Sequence, residues 1–241
     1  MNTFLHTGHI GDIIAFLPTI RALGGGKLII KDHDKSWHPM NGFRYESVKP
    51  LLEKQNYITS VEYNDHPDRV DFDNTHWRQC KDGYAGYREN TLLSDIQAEY
   101  WNANISYDTW IDVEASKETK DRIIITRTDR YRNYNFPIRK ILKHIGDRAL
   151  YVGTSDEWNT FQGELGVNIE HHKTESLLNV AQAIKGSDML VCEQSCTWWI
   201  AIGMGHKALR STSWYGADGV LKRDNLHYCK TGWVDFSIFD K

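Results

Sequence analysis

Short apolar stretches alternate with segments of helical spacing along most of this sequence, and this alternation constrains the fold more than any other feature. Near the start, a strand-like run at residues 3–7 is followed by helix-like residues 11–23 and a second strand-like run at residues 27–31. Such alternation is typical of β-α-β units, in which parallel strands are joined by a helix. The sequence therefore predicts an α/β fold with mainly parallel sheets.

The alternation occurs in two series that are separated by a charged stretch without large apolar side chains, residues 115–121. Strand-like and helix-like runs resume at residues 122–126 and 137–145, and the series continues to about residue 204. A chain of 241 residues is long enough for two α/β domains. We predict domains over residues 1–114 and 122–241. We also expect a long ordered loop over residues 65–90, a strand near residues 167–170, and no assigned element in the last 30 residues.

Composition and charge indicate an ordinary globular protein. Hydrophobic residues make up 40% of the chain, and the net charge of -3 offers no reason to expect a nucleic-acid or membrane surface as partner. No apolar run approaches the roughly 20 residues that span a bilayer. The four cysteines form no C-x-x-C pair, and the N-terminus does not resemble a secretory signal. We expect reduced thiols, no membrane span and a cytoplasmic location.

Polar residues cluster at three places where a predicted strand ends. They are residues 8–12, residues 126–135 and residues 193–197. In open parallel sheets, ligands bind beyond the carboxyl ends of the strands. These three segments are therefore the candidates for an active site.

The segment after residue 125 combines basic and hydroxyl side chains: Thr126, Arg127, Thr128, Arg130 and Arg132. Guanidinium groups bind phosphate oxygens through paired N–H donors, and the helix predicted from residue 137 adds backbone N–H groups at its start. The segment predicts a diphosphate site, with a solvated basic loop as the alternative.

The third segment begins with Glu193, Gln194 and Ser195, which could accept hydrogen bonds from sugar hydroxyls. Ser195 could instead cap the following helix, and no G-x-S-x-G sequence surrounds it that would indicate a hydrolase nucleophile. The Asp32-His33-Asp34 sequence allows a metal or ribose site, but a lone D-x-D is equally typical of an exposed turn.

The first segment places Asp12 at a strand-to-helix turn with Gly8, His9 and Gly11, and His6 lies just before it. Asp12 could cap the helix and favour the positive end of its dipole. Alternatively it could act as a base, with the glycines leaving room for a substrate. His6 and His9 could bind that substrate or only frame the turn.

Two stretches together resemble the heptosyltransferase-like glycosyltransferases, family nine. Residues 11–23, GDIIAFLPTIRAL, are similar to that family's G-D, five mostly apolar residues, Pro, and a helix that ends in A-L. Residues 176–207, SLLNVAQAIKGSDMLVCEQSCTWWIAIGMGHK, are similar to its helix, strand, acidic-polar-small turn and final helix. Both matches occur in the family's order.

This resemblance implies a GT-B fold: two Rossmann-like domains, acceptor-side over residues 1–114 and nucleotide-sugar-binding over residues 122–241, facing a central cleft. It implies inverting sugar transfer without a metal ion or cofactor, from a nucleotide-diphosphate sugar as co-substrate. Asp12 would be the general base, flanked on the acceptor side by His6, Gly8, His9 and Gly11. Residues binding the donor would be Thr126, Arg127, Thr128, Arg130, Arg132, Gly153, Thr154, Glu193, Gln194 and Ser195, with Gly153 and Thr154 near the base.

The chain departs from the family pattern in the late strand turn. Glu193-Gln194-Ser195 stands where the family has Asp-Thr/Ser-Gly, and Trp198 stands where it has His. The donor sugar is therefore left open. The expected acceptor is a glycan or small molecule, or a hydroxymethylated DNA base if the chain is of phage or viral origin, in which case the location would be the host cytoplasm. The alternatives are a catalytically silent sugar-nucleotide or glycan-binding module, and a dehydrogenase, against which the missing G-x-G-x-x-G argues.

Overall fold

The computed structural model describes residues 1–32, 40, 42–79, 91–128, 132–212, 221–229 and 232–240. The chain forms two compact units, the first made mainly of Met1–Asp112 with short segments of the later chain, and the second of most of the chain from Val113 onward. Each unit contains one sheet, and all strand pairs of both sheets are parallel. The predicted α/β fold class is confirmed.

The first unit has a four-stranded sheet in the order β3-β2-β1-β4. Three α-helices of the described residues and a 3-10 helix, Asn74–Gln79, accompany these strands. The elements are β1 (Asn2–Thr7), α1 (Ile10–Ala22), β2 (Gly26–Lys31), α2 (Gly42–Glu53), β3 (Ile58–Tyr63), β4 (Phe72–Asp73) and α3 (Leu93–Tyr100).

The core of this unit is formed by apolar side chains of β1, β2 and α1. Phe4, Leu28 and Ile30 of the two central strands have no exposed surface, as expected for strands covered on both faces. Helix α1 is apolar on nearly all sides and is buried from Asp12 to Ile20, and it continues through Pro18.

The long loop predicted over residues 65–90 is wrong for its described part. Strand β4 pairs with β1 and is followed directly by the 3-10 helix Asn74–Gln79. Phe72 holds β4 in place because its ring stacks on Phe4 at 4.9 Å and meets the edge of Trp101 at 5.3 Å. A strand of two residues has no alternation that a sequence pattern could reveal. Residues 80–90 lie outside the described part of the chain.

The second unit has a six-stranded sheet in the order β10-β9-β8-β5-β6-β7. Two 3-10 helices, Gly146–Arg148 and Phe236–Phe239, accompany the main elements. These are β5 (Ile123–Thr126), α4 (Ile138–Ile145), β6 (Ala149–Val152), α5 (Ser155–Leu165), β7 (Glu170–His172), α6 (Leu177–Gly186), β8 (Met189–Cys192), α7 (Cys196–Gly203), β9 (Ala208–Ser211) and β10 (Leu226–Cys229).

Three strands of this unit differ from the sequence prediction. The strand expected near residues 167–170 lies at Glu170–His172, and β9 and β10 occur where no element was assigned. Strand β9 carries Arg210, which is 1% exposed because its guanidinium lies 4.8 Å from the Trp198 ring and 5.2 Å from the Tyr228 ring. Aromatic faces attract a buried cation. A charged residue within a four-residue strand interrupts the apolar run by which strands are recognised.

Residues 115–121, predicted to be a linker, pack against α6. The Ser116 N–H donates to the Gln182 carbonyl at 2.9 Å, and the Thr119 hydroxyl donates to the Ala183 carbonyl at 2.8 Å. Gly186 permits this approach, because a Cβ atom there would lie 2.0 Å from the Ser116 carbonyl oxygen. The compact units divide between Asp112 and Val113, so this segment belongs to the second unit.

His206 should make the protein less stable in acid. Burial, aided by the Lys185 charge, lowers the pKa of His206 from 6.5 to about 4. Below pH 6.5 the unfolded chain therefore binds a proton that the folded chain does not accept until about pH 4. Stability is unaffected above this window and falls as pH drops through it, by roughly 3 kcal/mol for this residue.

The measurement is the free energy of unfolding by denaturant at pH 7 and pH 4.5 for the parent chain and His206→Gln. We expect the variant to lose about 2 kcal/mol less than the parent between these pH values. His66→Gln, at an exposed position, serves as the control and should follow the parent. Equal acid sensitivity of the parent and His206→Gln would contradict the prediction.

In the described part of the chain, no helix combines the length and hydropathy that a bilayer crossing requires.

Candidate functional site

The turn between β1 and α1 requires a glycine at its first position. Gly8 has φ +129°, a region that residues with a side chain rarely adopt. A Cβ atom on Gly8 would also lie 3.0 Å from Asp12 Oδ2. The turn therefore brings the backbone and the Asp12 carboxylate together in a space that another side chain would fill.

Asp12 lies in the first turn of α1 and is 5% exposed. The backbone N–H of His9 donates to its Oδ2 at 3.2 Å, so the carboxylate accepts a hydrogen bond from the residue that precedes the helix. The two oxygens of a carboxylate offer about four acceptor positions. The predicted capping role is therefore present, and it is compatible with a second role as a base.

The other residues of this segment differ in exposure. His9 and Gly11 are half-buried at the turn, whereas His6 is fully buried within the unit. His6 Nε2 lies 2.9 Å from Gln97 Oε1, and its ring packs 5.3 Å from the Phe16 ring. The burial of His6 favours a framing role over direct contact with a substrate.

At the end of β5, three hydroxyl groups form a continuous hydrogen-bonded chain. Thr126 Oγ1 lies 2.9 Å from Thr197 Oγ1, which lies 2.7 Å from Ser195 Oγ. Ser195 is at the N-cap position of α7, yet its hydroxyl contacts this neighbouring hydroxyl and makes no capping bond to a backbone amide. The chain joins the carboxyl end of β5 to the start of α7.

The described arginines of this segment are held by carboxylates. Arg127 Nε lies 3.3 Å from Glu193 Oε1, and its Nη1 lies 3.8 Å from Glu164 Oε2. Arg132 Nη1 donates to Glu164 Oε1. The two arginine side chains are 12% and 16% exposed. The alternative of a solvated basic loop therefore does not hold for Arg127 and Arg132, while Arg130 lies outside the described residues.

Glu193 anchors the segment that follows β5. Its Oε1 accepts from the backbone N–H of Asn133 at 3.4 Å in addition to Arg127, and the residue is 1% exposed. Burial raises the pKa of Glu193 above its usual value, and the Arg127 charge opposes that rise. Gln194 beside it is buried as well, and Thr128 is half-buried.

Gly153 and Thr154 follow the neighbouring strand β6. Thr154 and Glu157 form a capping box at the start of α5, in which the Thr154 N–H donates to Glu157 Oε2 at 2.9 Å and the Glu157 N–H donates to Thr154 Oγ1 at 3.2 Å. The Gly153 carbonyl lies 2.9 Å from His171 Nε2. The His171 ring stacks on Trp158 at 5.0 Å.

The structure thus brings together Thr126, Arg127, Arg132, Glu193 and Ser195 at one edge of the second sheet. In the first unit it brings Asp12 together with Gly8, His9 and Gly11. Sequence reasoning missed Glu164 and Gln97, because a charged residue and an amide within helical patterns give no signal of their partners. Among the described residues, no group of three or more His, Cys, Asp or Glu side chains could hold a metal ion.

No protein-family model and no curated protein sequence matches the chain. Solved structures do match. A glycosyl transferase of family 9 from Veillonella parvula aligns at 10% identity over 94% of this chain and 85% of its own, with a TM-score of 0.60. E. coli heptosyltransferase WaaC, solved with ADP, aligns at 9% identity over 95% and 93%, with a TM-score of 0.64. E. coli ADP-heptose lps heptosyltransferase II aligns at 10% identity over 95% and 90%, also with a TM-score of 0.64.

The chain shares the fold of these glycosyltransferases. The GT-B-like fold class that the sequence resemblance implied is thereby confirmed. At about 10% identity, the likeness to these glycosyltransferases concerns the fold alone.

Proposed function

We propose that the chain is a glycosyltransferase that moves a sugar from a nucleotide-diphosphate sugar to an acceptor hydroxyl. The observation that carries this proposal is the Asp12 carboxylate. It is held on the rigid glycine turn at the carboxyl end of β1, in a chain with a glycosyltransferase fold. Ligands of such sheets bind at that end of the strands.

In the proposed reaction, Asp12 takes the proton of the acceptor hydroxyl as the oxygen forms a bond to the anomeric carbon. The bond from that carbon to the diphosphate breaks at the same time, and the diphosphate leaves with the electron pair. Attack from the face opposite the leaving group inverts the anomeric configuration. A general base must lie within hydrogen-bond reach of its proton, and a short side chain on a fixed turn meets that need.

The leaving diphosphate needs positive charge and hydrogen-bond donors. We assign these to Arg127, Arg130 and Arg132 with the hydroxyls of Thr126 and Thr128, which allows transfer without a metal ion or cofactor. Gly153 and Thr154 would contact the nucleotide base, and Glu193, Gln194 and Ser195 the sugar. Structures of similar fold contain ADP or an ADP-heptose derivative, which supports an ADP-sugar as the first donor to examine.

For the acceptor, the net charge of -3 favours a glycan or small molecule over duplex DNA. If the chain is of phage or viral origin, the proposed acceptor is a hydroxymethylated DNA base. The proposed location is the cytoplasm. We further propose that residues 1–114 form the acceptor-side domain and residues 122–241 the donor-side domain, as the GT-B fold implies.

The alternative function is a catalytically silent module that binds a nucleotide sugar or glycan. The observation that favours it is the hydrogen bond from the His9 N–H to the Asp12 carboxylate, because capping of α1 accounts for Asp12 without a catalytic role. The transferase and a nucleotide-sugar-binding module both require nucleotide binding, and only the transferase requires Asp12 as a base.

Nucleotide binding can be tested by thermal unfolding with ADP, UDP, GDP and CMP and their sugar derivatives. A ligand that binds only the folded state raises the unfolding temperature. We expect one nucleoside diphosphate to do so, and Arg127→Met to weaken its binding about tenfold through loss of charge-assisted hydrogen bonds.

Arg122→Met is the matched control for this measurement. Arg122 also pairs with a glutamate, Glu170, but it precedes β5 and so lies at the opposite edge of the sheet. Its removal should leave nucleotide affinity unchanged. Failure of every nucleotide to raise the unfolding temperature would refute the transferase and the nucleotide-sugar-binding module. Equal losses of affinity in the two variants would refute the assignment of Arg127.

A further inference from the structure

Four buried or half-buried side chains of the first unit form a continuous hydrogen-bonded network that ends at Asp12. The Trp101 indole Nε1 lies 3.0 Å from Asn74 Oδ1, and Asn74 Nδ2 lies 2.6 Å from Gln97 Oε1. Gln97 Nε2 lies 3.1 Å from the backbone carbonyl oxygen of Asp12. His6 Nε2 joins the network at Gln97 Oε1, at 2.9 Å. His6, Asn74 and Gln97 have no exposed surface.

Both ends of this network impose the same hydrogen-bond direction. The Trp101 indole can only donate, so the atom of Asn74 that faces it must be the oxygen, and the Asn74 amide nitrogen must donate to Gln97. At the other end the Asp12 carbonyl can only accept, so the Gln97 amide nitrogen must face it. The orientations of both amides follow from these two fixed groups. His6 Nε2 therefore faces an acceptor and must carry a proton.

We propose that Gln97 and His6 are positioning residues for the Asp12 turn, an assignment that rests on the proposed role of Asp12 as the base. Gln97 holds the first turn of α1 through the Asp12 carbonyl, while the His9 N–H holds the same residue through its carboxylate. Asp12 is thus held at both its backbone and its side chain.

The partners come from separate parts of the chain. His6 and Gln97 are 91 residues apart, and Asp12 and Gln97 are 85 residues apart. The network therefore fixes the turn relative to α3 and to the 3-10 helix Asn74–Gln79. Loss of one member leaves buried polar partners without a hydrogen bond. Because the hydrogen bonds of such a network strengthen one another, this loss also weakens the remaining bonds. A displacement of the base by about 1 Å can lower a rate by roughly 100-fold.

The kinetic test compares Gln97→Leu with Gln55→Leu. Gln55 is 2% exposed, lies in the same unit and donates from its side chain to the Leu51 carbonyl, so the two variants lose equivalent buried amides. We expect Gln97→Leu to lower kcat at least about tenfold with little change in the donor KM, and Gln55→Leu to leave both unchanged. Equal kcat losses in the two variants would mean that Gln97 is only structural and would overturn the proposal.

A second variant and a second measurement do not depend on transfer activity. Trp101→Phe keeps an aromatic ring beside Phe72 but removes the indole donor and part of the ring volume, so it tests the network if Gln97→Leu fails to fold. Amide hydrogen exchange at Asp12 and Ile13, which both donate to the His9 carbonyl, should be faster in Trp101→Phe and Gln97→Leu but unchanged in Gln55→Leu.

The nitrogen-15 signals of the His6 ring in the parent chain should show a protonated Nε2. Unchanged exchange in Trp101→Phe and any folded Gln97→Leu, or a His6 Nε2 without a proton, would overturn the network itself. If the chain transfers no sugar, the proposed function fails while these exchange and tautomer measurements still decide whether the network holds the turn.

Discussion

Asp12→Asn should lower the rate of sugar transfer by about 100- to 10,000-fold while nucleotide affinity stays as in the parent. This range is the usual contribution of a general base. The amide oxygen of Asn can still accept the hydrogen bond of the His9 N–H, so the start of α1 is preserved and only the proton acceptor is lost. The measurements are the initial transfer rate with saturating donor and the nucleotide-dependent rise in unfolding temperature.

The control for this prediction is Asp95→Asn. Asp95 also lies in the first turn of a helix of the same unit, α3, where it accepts a hydrogen bond from the Tyr107 hydroxyl. The transfer rate of Asp95→Asn should remain within about twofold of the parent, because its hydrogen-bond partner, Tyr107, lies outside the candidate site. If Asp12→Asn keeps more than a tenth of the parent rate, Asp12 is not the general base.

Gly186→Ala should destabilise the protein by about 3 kcal/mol or more, because the added methyl group overlaps backbone that is itself hydrogen-bonded. The new Cβ would lie 2.0 Å from the Ser116 carbonyl oxygen and 2.5 Å from the Thr119 hydroxyl. To relieve the overlap, residues 115–121 would have to move away and break their hydrogen bonds to the carbonyls of Gln182 and Ala183. Denaturant unfolding of the two proteins gives the difference in stability.

Gly163→Ala provides a matched glycine in a helix of the same unit, since nothing lies within 4 Å of the Cβ that it would add. There alanine should stabilise the protein by about 0.5–1 kcal/mol, because glycine loses more backbone entropy within a helix. The two substitutions are chemically identical and have opposite expected signs. Destabilisation of similar size in both would mean that the contact at Ser116 is not the cause.

The parts of the fold that could be predicted are those in which an apolar strand adjoins a helix of regular spacing. Residues 3–23 are such a case, and the predicted strand and helix correspond to β1 and α1 within a few residues. Strand β4 could not be predicted because it has two residues and depends on Phe72 stacking on Phe4. Strand β9 was missed because its buried Arg210 is stabilised by rings that are distant in sequence.

The candidate segments of each unit could be located at strand ends from the sequence, but their contacts could not be predicted. The carboxyl ends of strands identify where Asp12, Arg127 and Glu193 lie, since parallel topology brings such ends to one edge of a sheet. The sequence could not reveal that Glu164 of α5 pairs with both described arginines, because that contact depends on how α5 packs. Gln97 was missed for the same reason, since its bond to Asp12 spans 85 residues.

The docking of residues 115–121 on α6 determines where the chain can be divided for exchange with another protein. A chimera joined at residue 122 would keep α6 but lose the donors from Ser116 and Thr119, leaving the Gln182 and Ala183 carbonyls without them. It would also expose the shallow groove at Gly186 that these residues fill. A recombination point between Asp112 and Val113 would keep residues 115–121 together with α6. The second unit therefore begins about ten residues before β5, the first strand of its sheet.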